Sequence, residues 1–181
     1  MLTLSDPRIQ RYVALLKQYN QHTNIYSEHA YDKLSFHLQD SLMLSSLIGD
    51  QQECVLDIGS GAGFPAVLMA LQNPNHEVVG VESKSRKTLF LDQVVQELDL
   101  DNLRVLQADI HDVLRKKQVR PSVVTAKAFA PLPKLLDILK KLSPPFKIFV
   151  PISEAQTVLP DYVQKGFILD HRPYFYWTNT L

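Results

Sequence analysis

The 181-residue chain has little of several residue types, and each scarcity excludes a class of protein. Its one cysteine, Cys54, excludes an internal disulfide and a cysteine-rich metal site. Because Cys54 lies beside an apolar run, we expect a buried, inert thiol. The chain also has no excess charge of one sign, because it contains 19 basic and 19 acidic residues. Its net charge therefore does not indicate a nucleic-acid partner.

Long apolar runs are absent as well. No run approaches the length of a membrane span, and the first residues show no basic segment followed by an apolar one. These absences predict a cytoplasmic protein. The hydrophobic fraction of 45% and the charged fraction of 21% are typical of a globular protein. We expect one domain, with residues 1–50 as a helical extension and residues 51–181 as an α/β core.

The first fifty residues show helical periodicity. Asp6 followed by Pro7 is typical of a helix start. Apolar side chains then recur at helical spacing, at Ile9, Tyr12, Val13, Leu16 and Tyr19. A second helix is predicted from about Tyr31 to Ile48, and Gly49 is placed to end it.

From Cys54 onward, short apolar runs alternate with helical segments, which indicates a parallel sheet with right-handed crossovers. The predicted strands are Cys54–Ile58, Val78–Val81, Leu103–Leu106, Val123–Thr125 and Ile148–Val150. The predicted crossover helices cover residues 65–72, 85–98, 110–116 and 133–142. The aromatic-rich tail from Gly166 to Leu181 predicts an edge strand, for which an antiparallel direction is one option.

The most informative stretch directly follows the first predicted strand and reads Asp57-Ile58-Gly59-Ser60-Gly61-Ala62-Gly63-Phe64-Pro65. Open α/β sheets bind ligands at the carboxyl ends of their strands, and glycine lets a ligand approach the backbone. The spacing is neither the G-x-G-x-x-G of dinucleotide enzymes nor a P-loop. An acidic residue followed by alternating glycines suits a cofactor with an ammonium and a carboxylate, such as S-adenosylmethionine.

Two further carboxylates follow neighbouring predicted strands. Glu82 ends the second strand about twenty residues past the glycines, where a carboxylate accepts hydrogen bonds from ribose hydroxyls. Asp109 and Ile110 follow the third strand, where they would meet the adenine edge. The three strand ends together predict a cofactor site, and a purely structural strand-to-helix turn is the alternative.

The glycine motif and three other segments together resemble one family. These segments are Tyr19 to Ile25 with its two asparagines, His37-Leu38-Gln39-Asp40-Ser41-Leu42, and Ala128-Phe129-Ala130-Pro131-Leu132. Over about residues 12–151 the chain is similar to the bacterial small-subunit ribosomal RNA guanine-N7 methyltransferases, also called the RsmG or glucose-inhibited division protein B family.

The resemblance implies a fold, a cofactor and a reaction. The fold would be a Rossmann-like class I methyltransferase with helices on both faces of a mostly parallel sheet. It would use S-adenosylmethionine to methylate N7 of a guanine in small-subunit (16S) ribosomal RNA. By analogy, the cofactor would be held by Asp57, Gly59, Ser60, Gly61, Gly63, Phe64, Glu82, Asp109 and Ile110.

The resemblance also implies which polar side chains lie near the transferred methyl group or the RNA-facing rim. They are Asn20, Asn24, His37, Asp40 and Ser41, with interhelical hydrogen bonding and capping as the alternative role. Because the lone pair of guanine N7 is free at neutral pH, the reaction needs no general base. Positioning of the reactants is therefore the expected role of Asn24, Asp40 and Lys127.

Several residues are candidates for RNA contacts. Phe64, Phe129 and Pro131 offer surfaces for an unstacked base, with core packing as the alternative for either phenylalanine. Lys127 would touch phosphate or base, with an ordinary surface lysine as the alternative. Basic clusters around Lys84 and Arg86, and from Arg115 to Arg120, would contact the RNA backbone, with solvated helix faces as the alternative.

Two departures from the family pattern leave other functions open. Lys127 stands where members usually carry arginine, and Val150-Pro151-Ile152 replaces a Leu-Lys-Gly segment. One alternative is a degenerate member that binds cofactor or RNA without turnover; another is a methyltransferase for a small molecule or a protein. The main expectation is a monomer that binds small-subunit ribosomal RNA or the small ribosomal subunit, without metal or membrane.

Overall fold

The computed structural model describes residues 2–143, 145–153, 167–168 and 174–180, with the backbone alone beyond residue 151. Its strands are β1 (Cys54–Ile58), β2 (Glu77–Glu82), β3 (Leu103–Gln107), β4 (Val123–Thr125), β5 (Lys147–Ser153), β6 (Phe167–Ile168) and β7 (Tyr174–Thr180). They form one sheet in the order β3-β2-β1-β4-β5-β7-β6. The first five strands are parallel, and β7 runs antiparallel to both of its neighbours.

Six α-helices accompany the sheet in the described part of the chain. They are α1 (Pro7–Asn20), α2 (Leu34–Ile48), α3 (Ala66–Gln72), α4 (Ser85–Glu97), α5 (Ile110–Arg115) and α6 (Leu132–Leu139). The predicted α/β class and the alternation of strands and helices are confirmed. One helix start is wrong, because residues Glu28–Lys33 form a 3-10 helix and the α-helix begins only at Leu34.

The position predicted for the tail strand is also wrong. Strand β7 pairs with β5 along its whole length, from Lys147 opposite Thr180 to Ser153 opposite Tyr174. The short strand β6 covers the other side of β7, so β7 lies inside the sheet and β6 forms the edge. The antiparallel direction of β7 agrees with the direction that the sequence left as one option. Residues Gly166 and Leu181, the predicted bounds of this strand, lie outside the described residues.

Helices cover both faces of the sheet. Alternate residues of β1 point to opposite faces, so Val55 belongs to one buried cluster and Leu56 and Ile58 to the other. The first cluster contains side chains of α1 to α4, and the second contains those of α5 and α6. This two-sided burial explains why the parallel strands are continuously apolar. The N-terminal helices therefore pack on the same face of the sheet as α3 and α4.

Cys54 is less buried than predicted. It begins β1 and is half-buried. The burial that remains raises the pKa of its thiol, which favours the protonated form. The thiol is therefore a poor nucleophile, although it is not enclosed.

Within the described part of the chain, no helix combines the length and the apolar character that crossing a bilayer requires.

Helix α1 begins as its sequence predicts and then contacts the glycine motif. The Asp6 carboxylate accepts a hydrogen bond from the amide of Arg8 at 2.9 Å, and Pro7 occupies the first helical position. On the buried face of α1, the Tyr12 hydroxyl donates to the carbonyl of Ala62 at 2.6 Å. Because Ala62 belongs to the glycine motif, the N-terminal extension supports the edge where the predicted site lies.

The Tyr12 hydrogen bond gives a direct test of this support. We expect Tyr12→Phe to lower the free energy of unfolding by about 1–3 kcal/mol, because it leaves a buried carbonyl without its donor. Tyr19→Phe is the matched control, since Tyr19 donates to the carbonyl of Arg86 at 3.1 Å in an exposed position. Its loss should stay within about 0.5 kcal/mol. Equal losses in urea denaturation would contradict a special role for Tyr12.

Candidate functional site

The glycine turn, residues 59–63, is fixed to the end of the neighbouring strand β2. The amides of Gly59 and Ser60 both donate to the carbonyl of Val81, at 2.8 and 3.2 Å, and the amide of Gly63 donates to the carbonyl of Ser60 at 2.7 Å. Just before the turn, Asp57 aligns with Gly80 of β2 on one side and Thr125 of β4 on the other. The turn is thus placed at the carboxyl ends of three adjacent parallel strands.

The glycines of the turn serve different purposes. A Cβ on Gly63, whose φ is +102°, would lie 2.6 Å from Cγ2 of Val67 and 3.0 Å from the hydroxyl of Tyr12. A Cβ on Gly61, whose φ is +59°, would meet nothing closer than 3.7 Å. The protein's own packing therefore requires Gly63, and the expectation that a ligand excludes its side chain is wrong there. Gly61 borders open space.

Packing brings the Ala128–Leu132 segment next to the glycine turn. A Cβ on Gly59 would lie 2.6 Å from Cδ2 of Phe129, so the aromatic ring rests on the turn. Phe129 is 38% exposed, and Pro131, just before α6, is exposed as well. Ala128 has a φ of +54°, which is uncommon for alanine. The core packing that was the alternative for Phe129 is only partial, because the ring also faces solvent.

Glu82, at the end of β2, lies directly beside the turn. One carboxylate oxygen accepts from the amide of Gly61 at 3.1 Å, and the other accepts from the amide of Lys84 at 2.9 Å. The side chain is buried, with 7% exposure of the residue. Two backbone donors therefore orient the carboxylate toward the region next to Gly61 and leave it further acceptor sites.

Asp57 lies behind the turn and is fully buried. Among the described residues, no donor lies at the distance and angle of a normal hydrogen bond to either of its carboxylate oxygens. Burial raises the pKa of Asp57 to about 7, against the opposing effects of nearby Ser60, the Ala66 amide and the Lys127 charge. This carboxyl group is therefore close to half-protonated at neutral pH.

Three residues predicted to touch the cofactor have side chains that are not open to a ligand. Asp57 has no exposed surface, Ser60 has 1% and Ile110 has 6%. Ile110, the first residue of α5, packs in the core. Asp109 is exposed and caps the helix, where its carboxylate accepts from the amide of His111 at 2.7 Å. For these residues, contact with the cofactor stays a prediction, and the burial of Asp57, Ser60 and Ile110 leaves their side chains little open surface.

Phe64 faces the N-terminal helices instead of the open side of the turn. Its ring centroid lies 5.5 Å from that of Tyr12, 5.6 Å from Tyr26 and 6.3 Å from His37. Such offset and edge-to-face contacts are favourable packing geometries. Phe64 therefore forms a packing contact between the turn and the helical extension, and its predicted cofactor contact stays a prediction.

Lys127 and Asp40 form a buried ion pair. The Lys127 Nζ atom lies 2.9 Å from Oδ2 of Asp40, and the two side chains are 9% and 0% exposed. The same Nζ donates to the carbonyl of His37 at 3.3 Å and lies 6.0 Å from the Phe64 ring centroid. Because its ammonium group is largely buried, Lys127 is not an ordinary surface lysine, and its expected RNA contact stays a prediction. The pair joins α2 to the end of β4.

His37 shares this buried environment. Desolvation lowers the pKa of its imidazole, and the positive charge of Lys127 lowers it further, while Asp40 acts in the opposite direction. The ring is therefore neutral at pH 7 and packs at 6.3 Å from the ring of Tyr26. The carbonyl of His37 also accepts from the Ser41 hydroxyl at 2.8 Å.

The two predicted asparagines have different environments. The Asn20 side chain holds the loop after α1, donating to the carbonyl of Tyr26 at 2.8 Å and accepting from the amides of Ile25 and Tyr26. This is the hydrogen-bonding role that was the alternative. Asn24 is exposed on the same loop, and no hydrogen bond in the described part of the chain links it to the glycine turn. Its predicted role near the methyl group stays a prediction.

The basic residues after β2 differ in their exposure and in how close they lie to the turn. Lys84 and Arg86 are exposed, whereas Lys87 is half-buried. The Lys87 Nζ atom lies 4.0 Å from the place of a Cβ on Gly61, which makes Lys87 a neighbour of the open space that sequence reasoning did not select. The only signal for it was membership of this cluster. Across the described residues, no group of three or more His, Cys, Asp or Glu side chains is arranged to hold a metal ion.

Comparison with known proteins identifies the family that this chain is similar to. The family model described as GidB, rRNA small subunit methyltransferase G, matches residues 5–157. The chain is 37% identical over 133 residues to the ribosomal RNA small subunit methyltransferase G of Neisseria meningitidis serogroup C, covering 73% of this chain and 62% of that protein. It is 32% identical over 130 residues to the Fusobacterium nucleatum protein of the same name, covering 70% of this chain and 55% of that protein. The match thus spans 55% to 62% of these relatives' lengths.

Solved structures support the fold. An RNA methyltransferase from Salinibacter ruber in complex with S-adenosyl-L-homocysteine has a TM-score of 0.56 at 21% identity, covering 79% of this chain and 88% of that chain. A mutant of MtNAS in complex with S-adenosylmethionine has a TM-score of 0.64 at 16% identity, covering 96% of this chain and 80% of that chain. These likenesses confirm the predicted Rossmann-like architecture.

The raised pKa of Asp57 predicts how stability depends on pH. Its value of about 7 in the folded chain exceeds the ordinary 3.8, so between these values the folded state binds more protons than the unfolded state. The stability contributed by the protonated group is therefore present below about pH 4 and lost as the pH rises to about 7. Asp57→Asn removes this proton linkage.

We expect the unfolding free energy of Asp57→Asn, relative to the unsubstituted protein, to rise by up to about 4 kcal/mol across that range. Urea denaturation at several pH values measures the difference. Two parallel stability curves would show that the Asp57 carboxyl does not titrate in this window.

Proposed function

Because this chain belongs to the GidB family, rRNA small subunit methyltransferase G, we propose that it transfers a methyl group from S-adenosylmethionine to N7 of a guanine in small-subunit ribosomal RNA. The observation that carries this proposal is the open side of the glycine turn at Gly61, directly beside the Glu82 carboxylate. Both lie at the carboxyl ends of parallel strands, where this class of sheet binds ligands.

Cofactor binding assigns different tasks to the residues around the turn. Gly61 admits the ligand to the backbone, and the Glu82 carboxylate accepts hydrogen bonds from ribose hydroxyls through the acceptor sites that the amides of Gly61 and Lys84 leave free. Asp57 favours an ammonium group through its charge from behind the turn. Asp109 and the backbone of Ile110 meet the adenine at the end of β3.

The methyl transfer itself needs orientation more than acid–base chemistry. Bound S-adenosylmethionine would supply a methyl group on a sulfonium; guanine N7 would form a bond to that carbon as the carbon–sulfur bond breaks, and S-adenosylhomocysteine would be the leaving group. No proton moves, so the reaction needs no catalytic base. The protein's contribution is to hold the base in line with the methyl group.

Phe129 and the buried ion pair provide that positioning. The exposed part of the Phe129 ring, resting on Gly59, offers a stacking surface for an unstacked guanine next to the turn. Lys127 is a positioning residue that acts through Asp40, because their ion pair anchors the strand end from which the Phe129 segment starts. Lys84, Arg86 and Pro131 are exposed around this edge and contact the RNA.

Methyl transfer can be measured directly with radiolabelled S-adenosylmethionine. We expect label in small ribosomal subunits or naked small-subunit rRNA taken from cells that lack the modification, and none without an acceptor. Borohydride reduction followed by aniline cleavage should then map the label to one 7-methylguanine. Retained cofactor affinity with no labelled product from either RNA would overturn the proposal and favour a member that binds without turnover. Label in a small molecule or protein alone would also overturn it.

The cofactor site is tested by Gly61→Val with Gly49→Val as its matched control. Both glycines have positive φ, +59° and +92°, and both have room for a side chain in the structure, so both variants share the backbone strain. Only a valine at position 61 would occupy the proposed cofactor space. We expect at least a tenfold loss of affinity for S-adenosylhomocysteine in Gly61→Val alone, measured by calorimetry on variants whose folding is verified by circular dichroism. Equal affinities would place the ligand elsewhere.

A further inference from the structure

A second candidate binding surface lies on the face of the sheet that α5 and α6 cover, opposite the N-terminal helices. Two cavities of about 370 and 490 Å³ share Leu114, Lys117 and Lys141 in their walls, and are therefore adjacent. We call this surface the α5–α6 groove. The first cavity is also lined by Arg120, which connects the groove to the segment before β4.

The charge of the groove is positive and largely uncompensated. Among the described residues, none of the cations Lys117, Arg120 and Lys141 forms an ion pair with a carboxylate. The acidic residue in the wall, Asp112, is already paired with Arg115 at 2.7 Å. The Nζ atom of Lys141 lies 3.3 Å from Nδ1 of His111, a contact that brings no carboxylate to the lysine. Converging cations of this kind repel each other and favour a polyanion.

The backbone at Lys117 adds a second observation. Its φ is +52°, and its amide donates to the carbonyl of Leu114 while the next amide, from Gln118, donates to Val113. This is the left-handed helix end at which glycine carries no steric penalty. A lysine here therefore adds backbone strain and places another positive charge in the groove.

One end of the groove is far from the glycine turn. Arg120 precedes β4 and Pro145 precedes β5, so these lining residues lie at the amino ends of the strands. The glycine turn follows the carboxyl end of β1. A five-residue strand such as β1 spans roughly 16 Å, so the end of the groove at Arg120 and Pro145 is separated from the turn by about that distance, whereas the end at His111 begins at the start of α5. A ligand in the groove would contact a different part of a large substrate from the reacting base.

We propose that the α5–α6 groove binds the phosphodiester backbone of the small-subunit RNA away from the target guanine, an inference that rests on the proposed function. Lysine and arginine side chains neutralise phosphates and release counterions, and the arginine fork of Arg120 suits bidentate phosphate contacts. The apolar floor formed by Leu114, Val119 and Leu142 suits the less polar sugar faces. The methyltransferase thus holds its RNA at two separate places.

The test compares two variants that lose the same charge. Arg120→Gln/Lys141→Gln removes two groove cations, and Lys17→Gln/Arg104→Gln removes one arginine and one lysine from exposed positions outside the groove. Affinity for naked small-subunit rRNA and for small ribosomal subunits is measured across a series of salt concentrations. We expect the groove variant to bind RNA about tenfold more weakly at physiological salt. Its log–log salt slope should fall by about 1.5, whereas the control should keep the slope of the unsubstituted protein.

Equal slopes for the groove and control variants would overturn the proposal. Weaker binding of small subunits with unchanged binding of naked rRNA would also overturn it, because a ribosomal protein would then occupy the groove. S-adenosylhomocysteine affinity, measured by calorimetry, should be the same in both variants. Failure of methyl transfer by the unsubstituted protein would refute the proposed function separately, and a groove-specific loss of rRNA affinity would still support the RNA site.

Discussion

The close approach of α1 to the glycine turn is the contact on which the rest of the site depends. Tyr12 reaches the carbonyl of Ala62 from the helix side, and a side chain on Gly63 would collide with both Tyr12 and Val67. The turn therefore has the N-terminal helix on one side and open space beside Gly61 on the other. The helical extension is part of the support of the turn. Without α1, the carbonyl of Ala62 would lose the hydrogen bond that Tyr12 donates.

Buried charge provides the second constraint. The ion pair of Asp40 and Lys127 lies on the same face of the sheet as Asp57, and its positive member lowers the pKa of Asp57 against the larger effect of burial. Removing either member of a buried pair leaves an uncompensated charge, so α2 and the end of β4 stay together. That connection determines where the following segment, with Phe129, meets the turn. Electrostatics inside the protein thus shapes the surface proposed to receive the base.

The sequence predicted the fold well where local signals were strong. The five parallel strands were placed to within a few residues, because apolar runs between helical segments have few other arrangements. The tail was predicted less well. Its aromatic run showed a strand, but β7 is inserted between β5 and β6, and only long-range pairing decides that order. The α-helix predicted from about Tyr31 overlaps the last three residues of the 3-10 segment Glu28–Lys33, since the two helix types share similar short-range periodicity.

The site was predicted as a set of positions, whereas the directions of the side chains came from packing. The sequence by itself determined the glycine turn, the acidic residue that ends β2 and their common edge, because chain order and strand direction bring these together. Only the tertiary structure decided that Gly63 serves α1, that Phe64 faces the helices, and that Lys127 is buried against Asp40. The physical reason is that a motif specifies backbone geometry locally, while burial and charge pairing depend on residues distant in the chain.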